Sequence, residues 1–399
     1  MSLNWDKLRH LPKQRVFLLA LLIIAVVAWL FVNQLSNIRP SSYQPIESRF
    51  VDQAGLFPPA FVTQMNNDLH YEYNELGIDI HYLIIPSLPP NQTMEEFALD
   101  QARAMAIGAT TNQRGILCVY NAKTQQFRIE VGPRLEGVMP DAFVSYLELE
   151  NTHAYASNRD LGLGLRLTEH LIVARLREAE LGMAYDPRPA KLVRDRQLLA
   201  EGAGATESLA PSAPGSETIN RLANAAIAQH FVPQPTVRET WQLYQEWLLL
   251  PYEYTNVSLF TADTQTFLEH EPISPAYRDF VIMIDYGKAY RVYVSGNLAM
   301  LVFTDTPFES PYYFRRGKNG WQMDITGSIR NSENLVGGPY TWIWRDGHDA
   351  YSRAFRRYVI IGARYLTTGN RIVSLPRIRG GDNRVLPVYT EKLYSAAHP

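Results

Sequence analysis

Side chains able to do chemistry are spread thinly along this chain. None of the spacings that make an enzyme obvious occurs: there is no P-loop, Rossmann glycine fingerprint, HExxH helix, EF-hand loop, GxSxG elbow or CxxC pair. The histidines do not supply a substitute. His81 alternates outward on an expected strand, His153 follows Glu150 at helical spacing with no third ligand, and His170 sits on an expected helix without a ligand pattern. Each reads as a surface or packing histidine. Cys118, the single cysteine, lies in the apolar run Gly115–Tyr120, where a thiol behaves as a small core hydrophobe. One cysteine also excludes an intramolecular disulfide. Toward the C-terminus, Asp346, His348 and Asp349 stand beside Trp342, Trp344 and Tyr351. Two readings stand for that group: an aromatic-walled ligand pocket, or a core whose rings carry polar tips. Arg353, Arg356, Arg357 and Arg364, interleaved with Phe355, Val359 and Ile360, read as a solvated face, with lipid headgroups or an acidic partner as the alternative.

The elements that position these residues belong to more than one folded unit. A chain of 399 residues is too long for one ordinary domain and suits two soluble units with an anchor. With 46% apolar and 20% charged residues it has surface to bury and is not a disordered tail. A formal net charge of -2 provides no field that would gather nucleic acid.

Residues 16–32 read VFLLALLIIAVVAWLFV, an uncharged run about long enough to cross a bilayer, and the anchor is expected over 16–34. Lys7, Arg9, Lys13 and Arg15 precede it within the basic segment 1–15, against Asp6 alone, which puts the N-terminus in the cytoplasm. The run exceeds a signal-peptide core and Asn33–Asn37 is a poor cleavage context, so an uncleaved single-pass anchor is expected. In a bacterium this leaves the inner membrane holding the chain and the periplasm receiving its folded parts.

Residues 46–185 alternate helix and strand signals, the grammar of an α/β domain. Pro58 and Pro59 open a helix carrying Phe61, Met65, Leu69 and Tyr73, and Gly77 closes it. Ile78–Ile85 reads as a strand, and Thr93 with Glu96 forms a capping box. Gly115–Tyr120 and Phe127–Val131 make a strand-turn-strand hairpin, and helices follow from Asp141 and from about Leu161 to Ala179.

The ordered set Val51–Leu56, Gly77–Ile80, Arg114–Leu117, Arg128–Gly132 and Leu135–Val138 with Asp141 resembles the TPM domain family, over about a third of the chain. The resemblance implies a four-stranded α/β/α sandwich, with divalent-cation binding or weak phosphatase activity in some members. It also implies that Asp52, Asn112, Arg114, Glu136 and Asp141 lie on loops converging at one sheet edge. Asp52, Arg114 and Asp141 are then the catalytic candidates, and Asp52, Asn112, Glu136 and Asp141 the candidate ligands of Ca²⁺ or Mg²⁺, which would activate water. The bland alternative makes Asp52 and Asp141 helix caps and pairs Arg114 with Glu136. Typical members carry acidic residues where this chain has Asn112–Gln113 and Lys123–Thr124, and a Gly-aromatic-Gly segment where it has Gly132–Pro133–Arg134. Losing hard oxygen charge and gaining Arg134 argue against a held cation.

Residues 186–216, ending in a Gly/Ala/Ser/Pro-rich stretch, read as a flexible linker. A second module is expected over 217–366: two amphipathic helices, then strands at Phe280–Ile284, Tyr290–Val294, Leu298–Phe303, Tyr312–Arg316 and Trp321–Ile325. Helices before a curved antiparallel sheet make an α+β module similar to the nuclear-transport-factor-like cone fold. Residues 367–399 read as an extended tail. Three functions follow as expectations. The first is a non-catalytic accessory factor assisting assembly or repair of an envelope or membrane protein complex. The second is a metal-dependent phosphatase acting on phosphate monoesters, and the third is small-ligand binding by the second module.

Overall fold

The computed structural model describes residues 48–157, 160–200, 225–251, 254–306, 309–335, 341–344, 349–366 and 372–378. The expected anchor at 16–34 lies outside them, and among the described residues no helix is long and apolar enough to cross a membrane.

The first half is a four-stranded mixed sheet in the order β1 (Phe50–Asp52), β2 (Asp79–Ile85), β3 (Gly115–Asn121), β4 (Gln126–Val131). The first three strands run parallel and β4 returns antiparallel. Parallel neighbours need crossovers. Helix α1 (Pro59–Leu76) makes the first, with Pro59 in its first turn and Gly77 left-handed (φ 59°) at its end. Helix α2 (Met94–Ala104) makes the second, started by the Thr93–Glu96 capping box. Both β2 and β3 are buried along their whole lengths because helices cover both faces. Ile80, Tyr82, Ile84, Ile116, Cys118 and Tyr120 meet Met65 and Leu69 of α1 and Leu171 and Ile172 of helix α5 (Leu161–Glu180). Leu83, Ile85, Leu117 and Val119 meet Phe97 and Ala98 of α2 on the other face. Between β4 and α5 runs a helical segment, α3 (Asp141–Tyr146) and α4 (Thr152–Ser157), joined by a π-turn at Leu147–Asn151.

Part of the expected linker is ordered helix. Residues Arg188–Ala200 form α6, which seats Ala190 and Val193 in the core and clamps Arg196 onto Asp279. A charged stretch reads as linker in sequence, but its Arg196 is satisfied by a partner 83 residues away.

The second half begins with a helical stretch over 225–230, followed by α7 (Val237–Leu248), α8 (Ala262–His270) and α9 (Pro275–Asp285). The run Phe280–Ile284, expected as a strand, is the C-terminal half of α9. Ser274 caps that helix, Pro275 opens it, and Phe280 to Ile284 are all buried. A helix apolar on all sides cannot be told from a buried strand by periodicity. The other four expected strands form one antiparallel sheet: β5 (Tyr290–Ser295), β6 (Leu298–Phe303), β7 (Tyr312–Gly317) and β8 (Gly320–Met323). One face packs on Trp241, Tyr244 and Trp247 of α7, with ring centroids 4.7 Å apart for Trp241 and Tyr312. Helix α10 (Ile325–Asn331), the pair β9 (Ser332–Leu335) and β10 (Thr341–Trp344), helix α11 (Ala350–Phe355) and the pair β11 (Val359–Leu366) and β12 (Ile372–Ile378) complete the described chain.

The two halves share one apolar cluster, from Phe50 in β1 to Met323 in β8. Among the described residues, two ion pairs and one histidine–carboxylate contact cross between them as well. Arg196 meets Asp279 through two 2.6 Å bonds, Lys288 pairs with Glu178, and His170 lies 3.5 Å from Glu309.

Candidate functional site

The loop before β3 carries Asn112 and Arg114, and it is built from unusual backbone. Ala106, Gly108, Asn112 and Gln113 all have positive φ, and Gly108 O accepts the N–H groups of Thr111 and Gln113. Three glycines let backbones touch there. A Cβ on Gly115 would stand 2.7 Å from Gly108 N, and one on Gly132 would stand 2.5 Å from Gln113 O.

A buried polar cluster holds this loop from beneath. Asp79, first residue of β2, accepts the Gly108 N–H at 2.7 Å and forms an ion pair with Arg49. Nε2 of His81 lies 2.9 Å from both Asp79 Oδ1 and Arg49 Nη1. Arg49 covers the Tyr73 ring at 3.9 Å, and the Tyr73 hydroxyl donates to Thr110 at 2.8 Å. Burial alone would raise the Asp79 carboxyl. The bonds from His81, Gly108 and Arg49 outweigh it and hold the carboxyl well below the usual carboxylate range. His81 therefore does not face outward. Period two puts it on the same face as Asp79, and the crossover from β1 to β2 brings Arg49 over both.

Register divides the expected ligand set. Asp79 pairs with Gly115 at one end of the sheet, and Asp52 pairs with Ile84 at the other. Five residues along β2 separate them, roughly 16 Å at strand rise. Asp52 accepts the Phe57 N–H at 2.8 Å and closes the turn into α1. Asp141 is the exposed first residue of α3, whose cap is Pro140. Glu136 is exposed. Arg114 does not pair with Glu136. It lies 3.8 Å from Glu180 of α5.

What the loop end does gather is a groove of about 340 Å³. Asn112, Arg114, Arg134 and Glu180 rim it, and Leu135, Val138, Leu176 and Ala179 form its floor. Two guanidiniums in one groove suit an anion. Among the described residues no group of three or more His, Cys, Asp or Glu could hold a metal ion. A hard divalent cation needs several oxygens at once, and the residues present do not fit Ca²⁺ or Mg²⁺.

Among the C-terminal candidates, Trp342 and Asp349 have structural contacts. Trp342 is buried with Leu298, Met300, Tyr313, Tyr351 and Phe355, behind the sheet face opposite α7. Asp349 caps α11 by accepting the Ser352 N–H at 2.8 Å, and it also accepts the Asn331 side-chain amide at 2.7 Å. Trp344 ends β10, and His348 lies outside the described residues. The Cys118 thiol is fully buried, and desolvation pushes it well up, so it stays protonated.

Sequence reasoning also passed over a buried acidic group on α1 and α5. Asp68, Glu72 and Glu169 are each under 4% exposed. Burial first, then the Glu169 charge, with Arg166 opposing, pushes Asp68 up to about 8. The signal was available: Asp68 and Glu72 lie on the core stripe that Met65 and Leu69 define.

Residues 50–173, from β1 into α5, match the sequence profile of the TPM domain family, so the α/β sandwich carries a TPM domain. A solution NMR structure of the N-terminal domain of a protein from P. gingivalis is 27% identical. The match covers 30% of this chain and 75% of that chain, with a TM-score of 0.28. No curated protein matches this chain.

Proposed function

We propose that this chain is a non-catalytic accessory protein that binds a membrane or envelope protein complex and supports its assembly or repair. Residues 16–34 hold it in the inner membrane, with the TPM domain and the second module on the periplasmic side. One observation carries the reading. Asp52, one of the oxygen donors that metal-assisted hydrolysis would need, lies at the opposite end of the sheet from Asn112, while the loop end offers Arg114, Arg134 and Asn112, with Glu180 beside Arg114, over an apolar floor. A groove of that chemistry binds anionic groups of a partner and has no carboxylate pair with which to activate water.

Two further features support it. The modules share a core, a buried Arg196–Asp279 ion pair, a part-buried Lys288–Glu178 ion pair and a buried His170–Glu309 contact, so surfaces of both are presented together. The cone-like second module has its helix-side face filled by Trp241, Tyr244, Trp247 and Phe303, which favours a scaffold over a small-ligand receptor. The test is recovery of partners from detergent-solubilised membranes at native expression. The chain is expected to retain a specific complex that Arg114→Glu with Arg134→Glu weakens. If no specific partner is recovered, or the double variant recovers the same partner equally well, the proposal fails.

A further inference from the structure

The antiparallel sheet treats its two edges differently. Outside β8, Gln234 exchanges both backbone bonds with Trp321, at 3.1 and 2.7 Å. Leu259 O accepts the Met323 N–H at 2.8 Å, and the Thr261 N–H donates to Met323 O at 3.0 Å. That edge is closed. At the other edge, among the described residues, β5 pairs with β6 alone. The Thr304 N–H bond to Ala289 O, 2.9 Å long, sets the alternation along this pair. Arg291, Tyr293 and Ser295 turn their N–H and C=O groups toward β6, and those of Tyr290, Val292 and Val294 point away from the sheet. These outward groups have no hydrogen-bond partner among the described residues.

The side chains of the same three residues line an open trough of about 600 Å³, with Val237 and Trp321 opposite. Val294 is 52% exposed, high for a large apolar residue on a strand. Among the described residues, the charged ones lining the trough are Arg238 and Arg291, and no carboxylate lines it. Arg238 lies 5.8 Å from the Tyr290 ring and Arg316 lies 6.0 Å from the Trp321 ring, so a third guanidinium stands close by. The nearby carboxylate of Glu239 is committed to the capping box with Thr236.

We propose that β5 is a docking edge for an extended peptide segment of a partner protein, apolar at alternate positions and acidic between them. The segment adds as a fifth strand. Its backbone pairs with Tyr290, Val292 and Val294, its apolar side chains enter the trough, and its acids, on the opposite face, meet Arg291, while Arg238 at the Tyr290 end attracts the acidic segment as a whole. This deepens the accessory-protein reading and rests on it, because it names the chemistry of one partner contact.

The test titrates the full chain, in neutral detergent micelles, against a fluorescein-labelled hexapeptide alternating Glu and Val. The expected result is saturable binding, with a Lys–Val hexapeptide at least about ten-fold weaker. Arg238→Glu with Arg291→Glu should reverse that preference. Val294→Pro removes an outward N–H that the sheet does not use, so the fold should persist by circular dichroism while peptide affinity falls at least about ten-fold. Unchanged affinity in folded Val294→Pro, equal binding of the two peptides, or no saturable binding overturns the proposal. If phosphatidylserine vesicles bind through Arg238 and the peptide does not, a lipid surface replaces it. Should the peptide fail while partner recovery still depends on Arg114 and Arg134, the accessory reading stands and the β5 edge is dismissed.

Discussion

Replacing Asp79 with Ala should loosen the loop that forms the groove. Asp79 and Arg49 have side chains 8% and 5% exposed, so the change leaves a guanidinium buried without its counter-charge. It also removes the acceptor of the Gly108 N–H. Breaking a buried pair by deleting one partner costs about 3–5 kcal/mol, and the orphaned Gly108 donor lies within the same loss. Urea denaturation of the full chain in micelles, followed by tryptophan fluorescence, should register that drop. Hydrogen exchange should accelerate across 105–114 more than across β3. Removing both charges with Arg49→Met and Asp79→Leu should cost less than Asp79→Ala alone, because no charge is then left unpaired. The pH dependence has a definite sign. A carboxyl held below its unfolded value stabilises the fold above the unfolded pKa of about 3.9 and loses that contribution as pH falls through the folded value. The gap between wild type and Asp79→Ala should therefore be level from about pH 5 to 8 and narrow only in stronger acid. A loss below about 1 kcal/mol at pH 7, or a gap that narrows between pH 8 and 5, would refute the clamp.

Asp68 should behave in the opposite way. Its carboxyl is pushed up to about 8, so the folded chain keeps a proton that the unfolded chain releases near pH 4. Stability falls as pH climbs between those values, and Asp68→Asn should gain at least about 1 kcal/mol at pH 8 with no gain at pH 4, read from denaturation midpoints. Arg196→Ala should uncouple α6 from α9 by orphaning buried Asp279, speeding proteolysis within 188–200 and lowering stability by about 3–5 kcal/mol. The full chain assayed on a phosphate monoester, with and without Mg²⁺ or Ca²⁺, should show no metal-dependent turnover. Turnover that Asp141→Asn abolishes would return the phosphatase reading.

Local sequence signals made many of the elements legible. Pro58–Pro59 and Gly77 bound α1, Thr93 with Glu96 starts α2, and Gly115–Tyr120 is a strand buried on both faces. These depend on contacts within a few residues, which composition and spacing encode directly. Failures came where a segment's partner is distant. Phe280–Ile284 reads as a strand because burial on all sides erases its helical period, and 188–200 is held as helix against α9 where Asp279 receives Arg196. His81 is buried because Arg49 crosses over it.

Chain order and the TPM-type motifs of residues 50–173 were thus decided by sequence alone, since alternation, caps and turn residues are local properties. Which candidates meet was decided by tertiary structure. Parallel register sends Asp52 to one end of the sheet and Asn112 with Arg114 to the other, and the antiparallel return of β4 carries Arg134 to that second end. A strand's direction and its neighbour are long-range facts. No spacing along the chain could have said that Asp52 parts from Asn112 while the two arginines converge.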